Sequence, residues 1–406
     1  MGYKRDTVKG VSWITLLRGM TRLLTFVRLA ILGRLLTPTQ FGFFGIATLL
    51  LSLLEILTET GINIFLVQEK NHIKEYVNSA WVVSIIRGII LALIIFIAAP
   101  FITTFFKAND AYLIIVLIAL VPFIRGFINP AIISFQKDLL FYKEFRLRTI
   151  LFCIDVFSSI IVGFITKNAI SFDVGLIASA VLEVLLSYTL ITLRPNLRFE
   201  YQKIKHVIHK GWWVTVTGIF SFFAENGDNI TVGKILGVSS LGIYQVAYKF
   251  STLPISEITN VVNMVVFPVY AKFSDDKERL WNAFKKVTIL SSTGALIFGT
   301  AIFILAKPII LIFMGGQWVA AIPAIQILSV YGILRTVFGN FAPLFLAVHK
   351  QNYVAQSTFF RVGALVITVA PLVLHYGMVG AGFAMLISIL AEIPIIIYFS
   401  HKVFKK

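Results

Sequence analysis

Gly33–Ala47 reads GRLLTPTQFGFFGIA, and Gly233–Ala247 reads GKILGVSSLGIYQVA. The two segments align without a gap at an offset of 200 residues, keeping a Gly-basic pair at the start, Leu36 with Leu236, Gly42 with Gly242 and Ala47 with Ala247. Each follows an apolar span opened by a Lys-Gly pair, Lys9-Gly10 in the first copy and Lys210-Gly211 in the second. Pro100 with Pro308, and Ile124-Arg125 with Leu334-Arg335, echo the same repeat more faintly. Self-similarity over half the chain means two like modules in tandem.

Composition says what the modules are made of. Of 406 residues 58% are hydrophobic and only 14% charged, and the mean hydropathy is +0.89. A soluble domain carries about 25% charged residues, so the chain belongs in lipid. Apolar runs long enough for a hydrocarbon core of about 30 Å fall near 11–36, 41–66, 79–104, 111–135, 149–166, 172–193, 211–236, 240–270, 287–306, 320–347, 353–374 and 378–400. The expected fold is an all-α polytopic membrane protein of about 12 transmembrane helices in two six-helix lobes, 1–200 and 201–406, with the basic connector Arg194–Lys210 as the seam. Pro308–Trp318 is apolar but too short to span, and is expected to lie in the interface. Lys4, Arg5 and Lys9 lead into an arginine-bearing span, so no cleavable signal is expected. The single cysteine, Cys153, excludes a disulfide framework or a cysteine-based zinc site.

The net charge of +17 would point to nucleic acid in a soluble chain. Here the basic residues sort by side instead. With the N-terminus inside, the cytoplasmic gaps and ends hold 23 Lys and Arg, and the outer gaps hold only Lys107, Lys167 and Lys307. The positive-inside rule places both termini in the cytoplasm and removes the case for a nucleic-acid partner. Six spans separate the two copies, an even number, so the lobes share one orientation and are expected to be related by a pseudo-two-fold axis along the membrane normal.

Ten of the 36 Lys and Arg residues remain inside spans, and Arg18, Arg22 and Arg28 crowd into the first. A charge at the bilayer centre costs roughly 2.5–3.5 kcal/mol even on lenient scales. On a helix, Thr15, Arg18, Thr21, Arg22, Thr25 and Arg28 share an arc of about 140°. Guanidinium forks match phosphate oxygens and stay charged, so the stripe suits an anionic ligand moving through the membrane. The other role open to it is ion pairing with Glu55 and Glu59, one turn apart on span 2 beside Ser52 and Asn63.

Span 7 carries the opposite sign. Thr217, Ser221, Glu225, Asp228 and Asn229 share a helix face, and Asp228 takes the repeat position of Arg28. Span 8 aligns Gln245, Lys249, Thr252 and Ser256, which offers Lys249 as a partner for Glu225 or Asp228. Carboxylates held in a membrane suit the uptake and release of a proton or a sodium ion, and equally a salt bridge between neighbouring helices. Asn226-Gly227 reads as a local break in the span. Asp155 and Glu183 are expected to pair with Arg87 or Arg125, and Arg335 and Arg361 with Glu392.

Arg22-Leu23-Leu24, then Gly33 through Phe44, then Thr60-Gly61 and Val67-Gln68 resemble the bacterial oligosaccharide flippases of polysaccharide biosynthesis, within the multidrug/oligosaccharidyl-lipid/polysaccharide exporter superfamily. The O-antigen, colanic-acid and teichuronic-acid translocases are the nearest in kind. The resemblance runs through all twelve spans and is specific mainly in that opening and its second-half copy. It implies two lobes facing each other across a cavity lined by spans 1, 2, 7 and 8. It also implies an undecaprenyl-diphosphate-linked glycan as substrate, flipped from the cytoplasmic to the outer leaflet. The substrate-binding candidates are then Arg18, Arg22, Arg28, Glu55, Glu59 and Lys249, and the ion-coupling candidates Glu225, Asp228 and Asn229. Membrane lipid, a proton or sodium, and a polymerase and glycosyltransferases of the same pathway are the implied partners; no cofactor or metal is expected. Many members carry two further spans where this sequence stops at Lys406, so a lipid-tail groove built from such helices is not expected.

Two rivals stand beside this reading. A membrane-embedded polymerase or glycosyltransferase would need acidic metal-binding motifs or a sizeable outer loop, whereas the outer connections are as short as Thr37–Gln40 and Gly237–Ser240. A multidrug exporter of the same superfamily would move cationic cargo, which three arginines on one stripe repel.

Overall fold

The computed structural model describes residues 2–58, 76–197, 201–274 and 276–404, with side chains described except at 2–11, 201–217, 256–265, 267 and 268. The chain is a succession of helices: α1 Gly2–Leu35, α2 Pro38–Leu57, α3 Val77–Phe106, α4 Asn109–Arg125 with a continuation Pro130–Lys137 bent by 77°, α5 Phe141–Thr166, α6 Ile170–Leu190, α7 Tyr201–Leu236, α8 Val238–Lys272, α9 Lys277–Phe313, α10 Gly316–Ala347 and α11 Gln351–Phe404. Seven of these, α2, α3, α5, α6, α9, α10 and α11, are long and apolar enough to cross a membrane, and the bent α4 makes an eighth. Their outer faces carry side chains as exposed as Phe101, Ile165 and Ile367, a surface that lipid would cover.

Three elements depart from the expected spans. α9 runs on through Pro308 to Phe313, so most of Pro308–Trp318 is helix rather than an interfacial piece, and only Gly316–Ala321 turns as 3-10. A proline in a helix interior is tolerated in a membrane protein because neighbours satisfy the carbonyl it frees. α5 begins at Phe141 rather than near 149, which moves Arg146 and Arg148 from a connector onto a helix. α11 joins the two expected last spans, with non-helical backbone at Gly377 (φ 62°) between them.

Contacts gather the chain into two compact units, Met1–Phe222 and Phe223–Lys406, with the seam inside α7. In the first, α1 packs along α5 and α5 along α6; in the second, α8, α9 and α10 pack on one another and α11 on α10. Small residues set the closest approaches: a Cβ on Gly88 of α3 would lie 2.6 Å from the Pro122 carbonyl oxygen of α4.

The backbone repeats its joints as well. Thr37 opens α2 through a capping box, its hydroxyl accepting from the Gln40 amide and the Gln40 side chain accepting from the Thr37 amide. At the equivalent place before α8 stands Gly237 at φ 87° where Thr37 has φ −77°, so this joint takes a backbone conformation that suits glycine and has no side-chain cap. Positive-φ residues recur in the same order, at a slightly wider spacing than the 33–47 repeat: Lys107 with Gly315, Leu139 with His349, Lys167 with Gly377. After Leu139 and His349 the chain closes identically, the Leu140 amide donating to Phe135 O and the Lys350 amide to Phe345 O, both at 2.8 Å. Lys107 and Lys167 cap the C-termini of α3 and α5, where the helix dipole favours a cation.

Candidate functional site

In the first unit, α1 presents Arg18 and Arg22 half-buried, with Thr15 exposed beside them. The stripe's other hydroxyls turn inward on the helix: Thr21 donates to Arg18 O (3.0 Å) and Thr25 to Thr21 O (2.7 Å). That back-bonding leaves the guanidinium groups as the stripe's long-reaching donors.

Arg28 has another situation. Its Nη1 donates to both carboxylate oxygens of Asp155 on α5, at 3.0 and 2.9 Å, with the two side chains 14% and 6% exposed. The rings of Phe152 and Phe172 lie 6.0 and 5.8 Å from its guanidinium carbon. Ser159 supports Asp155 from one turn on, and a Cβ on Gly175 of α6 would collide with both, so the pair sits where α5 and α6 touch most closely. Asp155 was expected to meet Arg87 or Arg125, while Arg28 was a candidate for the substrate, with ion pairing to Glu55 or Glu59 as its other role; helix periodicity assigns faces but not neighbours, and α1 lies against α5. Glu59 lies outside the described residues.

Glu55 instead meets Arg125 (3.9 Å), while Arg87 donates to the Glu55 carbonyl oxygen (2.9 Å) and to the Thr58 hydroxyl (3.0 Å). Glu183 takes Arg148 at 2.8 Å and Arg125 at 3.6 Å, and Arg148 also bridges to Glu144 at 3.0 Å. Arg125 does pair with Glu183 as expected; Arg148, reassigned from loop to helix, is the closer partner. Glu55, Arg87, Arg125, Arg148 and Glu183 line a cavity of about 310 Å³ within the unit, together with Gln136.

In the second unit, α7 runs unbroken through Asn226-Gly227, so the expected break is absent; Thr231 bonds back to Gly227 O at 2.7 Å. Asp228 is fully buried. Its carboxylate accepts from the Tyr244 hydroxyl (2.7 Å), the Asn229 amide (2.8 Å) and the Asn229 side chain (3.1 Å). Glu225 is exposed and pairs with Arg335 at 3.1 Å, whose other nitrogen donates to the Tyr248 hydroxyl at 3.0 Å. Tyr244 and Tyr248, one turn apart on α8, thus hold Asp228 and Arg335; Lys249 is half-buried with contacts of its own. Arg335 goes to Glu225 rather than Glu392, and Arg361 pairs with Glu392 at 3.7 Å as expected. A cavity of about 440 Å³ opens among Tyr248, Arg335, Arg361 and Glu392.

The sequence reading missed the two tyrosines because a tyrosine in an apolar run reads as core. The repeat held the clue: Tyr244 aligns with Phe44, which stacks on Phe172 at 4.4 Å, so a hydroxyl has been added where Arg28 gave way to Asp228.

Long apolar helices with charged side chains paired in their interior define a polytopic α-helical membrane protein of the transporter class. The chain belongs to a family of polysaccharide biosynthesis proteins, whose match covers residues 31–323. It is 24% identical over 383 residues to the lipopolysaccharide biosynthesis protein WzxC of Escherichia coli (strain K12), covering 90% of this chain and 76% of that protein. It is 23% identical over 342 residues to the succinoglycan biosynthesis transport protein ExoT of Rhizobium meliloti (strain 1021), covering 84% and 69%. Its fold is similar to that of the lipid II flippase MurJ in an inward closed conformation, with a TM-score of 0.76 at 15% identity over 96% of this chain and 88% of MurJ.

Proposed function

We propose that this protein is a lipid-linked oligosaccharide flippase that carries undecaprenyl-diphosphate-linked repeat units from the cytoplasmic to the outer leaflet of the bacterial cytoplasmic membrane, feeding surface polysaccharide synthesis alongside the glycosyltransferases and polymerase of that pathway. The observation that carries the reading is the guanidinium face of α1, with Arg18 and Arg22 half-buried in a member of a polysaccharide biosynthesis family. A planar guanidinium fork binds a diphosphate bidentately and is more weakly hydrated than an ammonium group. Arg28 holds α1 to α5 through Asp155, which keeps the arginine face in place. Purified protein in liposomes with a fluorescent short-chain polyprenyl-diphospho-sugar tests the reading. A membrane-impermeant quencher should act on the outer-leaflet probe alone in empty vesicles, and on nearly all the probe in vesicles where the protein brings inner-leaflet probe outward; quenching of the outer-leaflet fraction alone in both cases would sink it.

The proposal includes twelve spans in two lobes, 1–200 and 201–406, with both termini cytoplasmic and the lobes alike in orientation about an axis along the membrane normal. The charge bias, the repeat at 33–47 and 233–247, and the positive-φ joints in the same order support it. In a Cys153→Ser background, cysteines at Thr39, Asn109 and Ser239 are expected to label from outside intact cells, and cysteines at Ser274 and His349 only after permeabilisation. Labelling of Thr39 with protection of Ser239 would break the parallel arrangement.

Transport is further proposed to be coupled to a proton or sodium ion through Asp228, Asn229 and Glu225. Asp228 supports this because its hydrogen-bond partners are a phenol and amides, which leaves the carboxylate open to a cation. Asp228→Asn is expected to flatten the pH or sodium dependence of flipping while substrate binding survives. Unchanged ion dependence in that variant would make the group a structural one.

A further inference from the structure

The cavity of the second unit has a composition that the flipping of a diphosphate does not require. Its volume of about 440 Å³ lies in the range of small-molecule sites. An aromatic wall is formed by Phe338, Phe341, Phe345 and Tyr248; the polar groups of the lining include Arg335, Arg361 and Glu392. The corresponding cavity of the first unit keeps the guanidinium and carboxylate groups, yet none of the residues described as lining it is aromatic. The two units repeat one another, so the aromatic wall is a specialisation of one copy.

The wall is also held in place. Phe338 and Phe341 stack nearly parallel, 6.3 Å apart at 16°, and Phe284 braces Phe341 edge-on at 4.7 Å. Phe345 is locked against Tyr353 and Phe399. Phe338 and Phe341 are only partly buried, which leaves ring surface for a ligand. The Tyr248 phenol is oriented by Arg335 at 3.0 Å.

Charge selects among ligands. Within the lining Arg361 is balanced by Glu392 at 3.7 Å, and Arg335 is balanced by Glu225 at 3.1 Å, which reaches it from outside the lining. A balanced site gives a diphosphate no advantage. The Arg361–Glu392 separation exceeds a hydrogen bond, and a guanidinium has five donors and a carboxylate about four acceptor positions, so both have capacity for hydroxyl groups. Ring faces beside paired donors and acceptors, with no net charge, complement a neutral pyranose: apolar C–H faces on the rings, hydroxyls on the charged pair.

We propose that this cavity is a sugar subsite, which takes a neutral pyranose of the lipid-linked glycan against Phe338 and Phe341 and reads its hydroxyls with Arg361 and Glu392. The proposal rests on the flippase reading and names the part of the substrate that gives it selectivity.

The test is calorimetric titration of the intact protein in lipid nanodiscs. The probes are geranylgeranyl diphosphate and the same diphosphate esterified to glucose, galactose, N-acetylglucosamine or glucuronic acid. At least one neutral sugar is expected to tighten binding about five- to tenfold over the bare diphosphate, the scale of an aromatic contact, and glucuronate is expected to add nothing beyond glucose. Phe341→Leu and Phe338→Leu keep the apolar volume but remove the ring face; each should erase the sugar gain and leave the bare diphosphate affinity unchanged. Equal binding of all five probes, a gain that survives both variants, or a preference for glucuronate would overturn the sugar subsite with the flippase reading intact. Failure of the bare diphosphate to bind would overturn the flippase reading and this inference with it.

Discussion

Replacing Arg18 and Arg22 together by alanine is expected to abolish complementation of a flippase-deficient strain while membrane abundance stays normal. Hydrogen bonds to charged groups contribute about 1.5–3 kcal/mol each. Two guanidinium contacts to a diphosphate therefore make a difference of roughly a hundredfold or more in substrate affinity. Lysine keeps the charge and loses the planar fork, so Arg18→Lys with Arg22→Lys should restore part of the activity. The measurement is surface polysaccharide yield set against membrane abundance for each variant. Full complementation by the double alanine variant at normal abundance would show that these arginines do not hold the substrate.

Arg28→Ala is expected to fail in a different way, by loss of folded protein. The substitution strands Asp155, whose side chain is 6% exposed, without its cation. Removing one partner of a buried pair costs about 3–5 kcal/mol, whereas replacing both with apolar residues is often neutral. Arg28→Leu with Asp155→Leu should therefore recover the abundance that Arg28→Ala loses, as read by the thermal midpoint of detergent-solubilised protein. If Arg28→Ala keeps normal abundance and midpoint yet loses transport, the guanidinium acts on substrate despite its pairing with Asp155.

These two expectations differ because the structure separated residues that one stripe had grouped. A period of 3.6 shows that Arg18, Arg22 and Arg28 share a face; it does not say that α5 lies under the last of them. Asp155 is 127 positions away from Arg28, and only packing brings it near. The helices themselves were legible, since an apolar run of the length of a bilayer leaves the backbone little choice but helix. Two details were lost for the same reason that made the rest readable. Hydropathy does not register a backbone bend, so the 77° turn that follows Arg125 was invisible, and it scores tyrosine with the core, so the hydroxyls on Asp228 and Arg335 went unseen. Proline pulled in the opposite direction at 308, where a residue that breaks helices in water sits within one.

The pairing of charges inside each unit has an electrical consequence. Moving one elementary charge through a membrane potential involves about 2.3 kcal/mol per 100 mV. Arg28 with Asp155, Arg335 with Glu225, and Arg361 with Glu392 each travel as a dipole with no net charge. When the helices that bear them shift across the bilayer, the field does almost no work on these pairs.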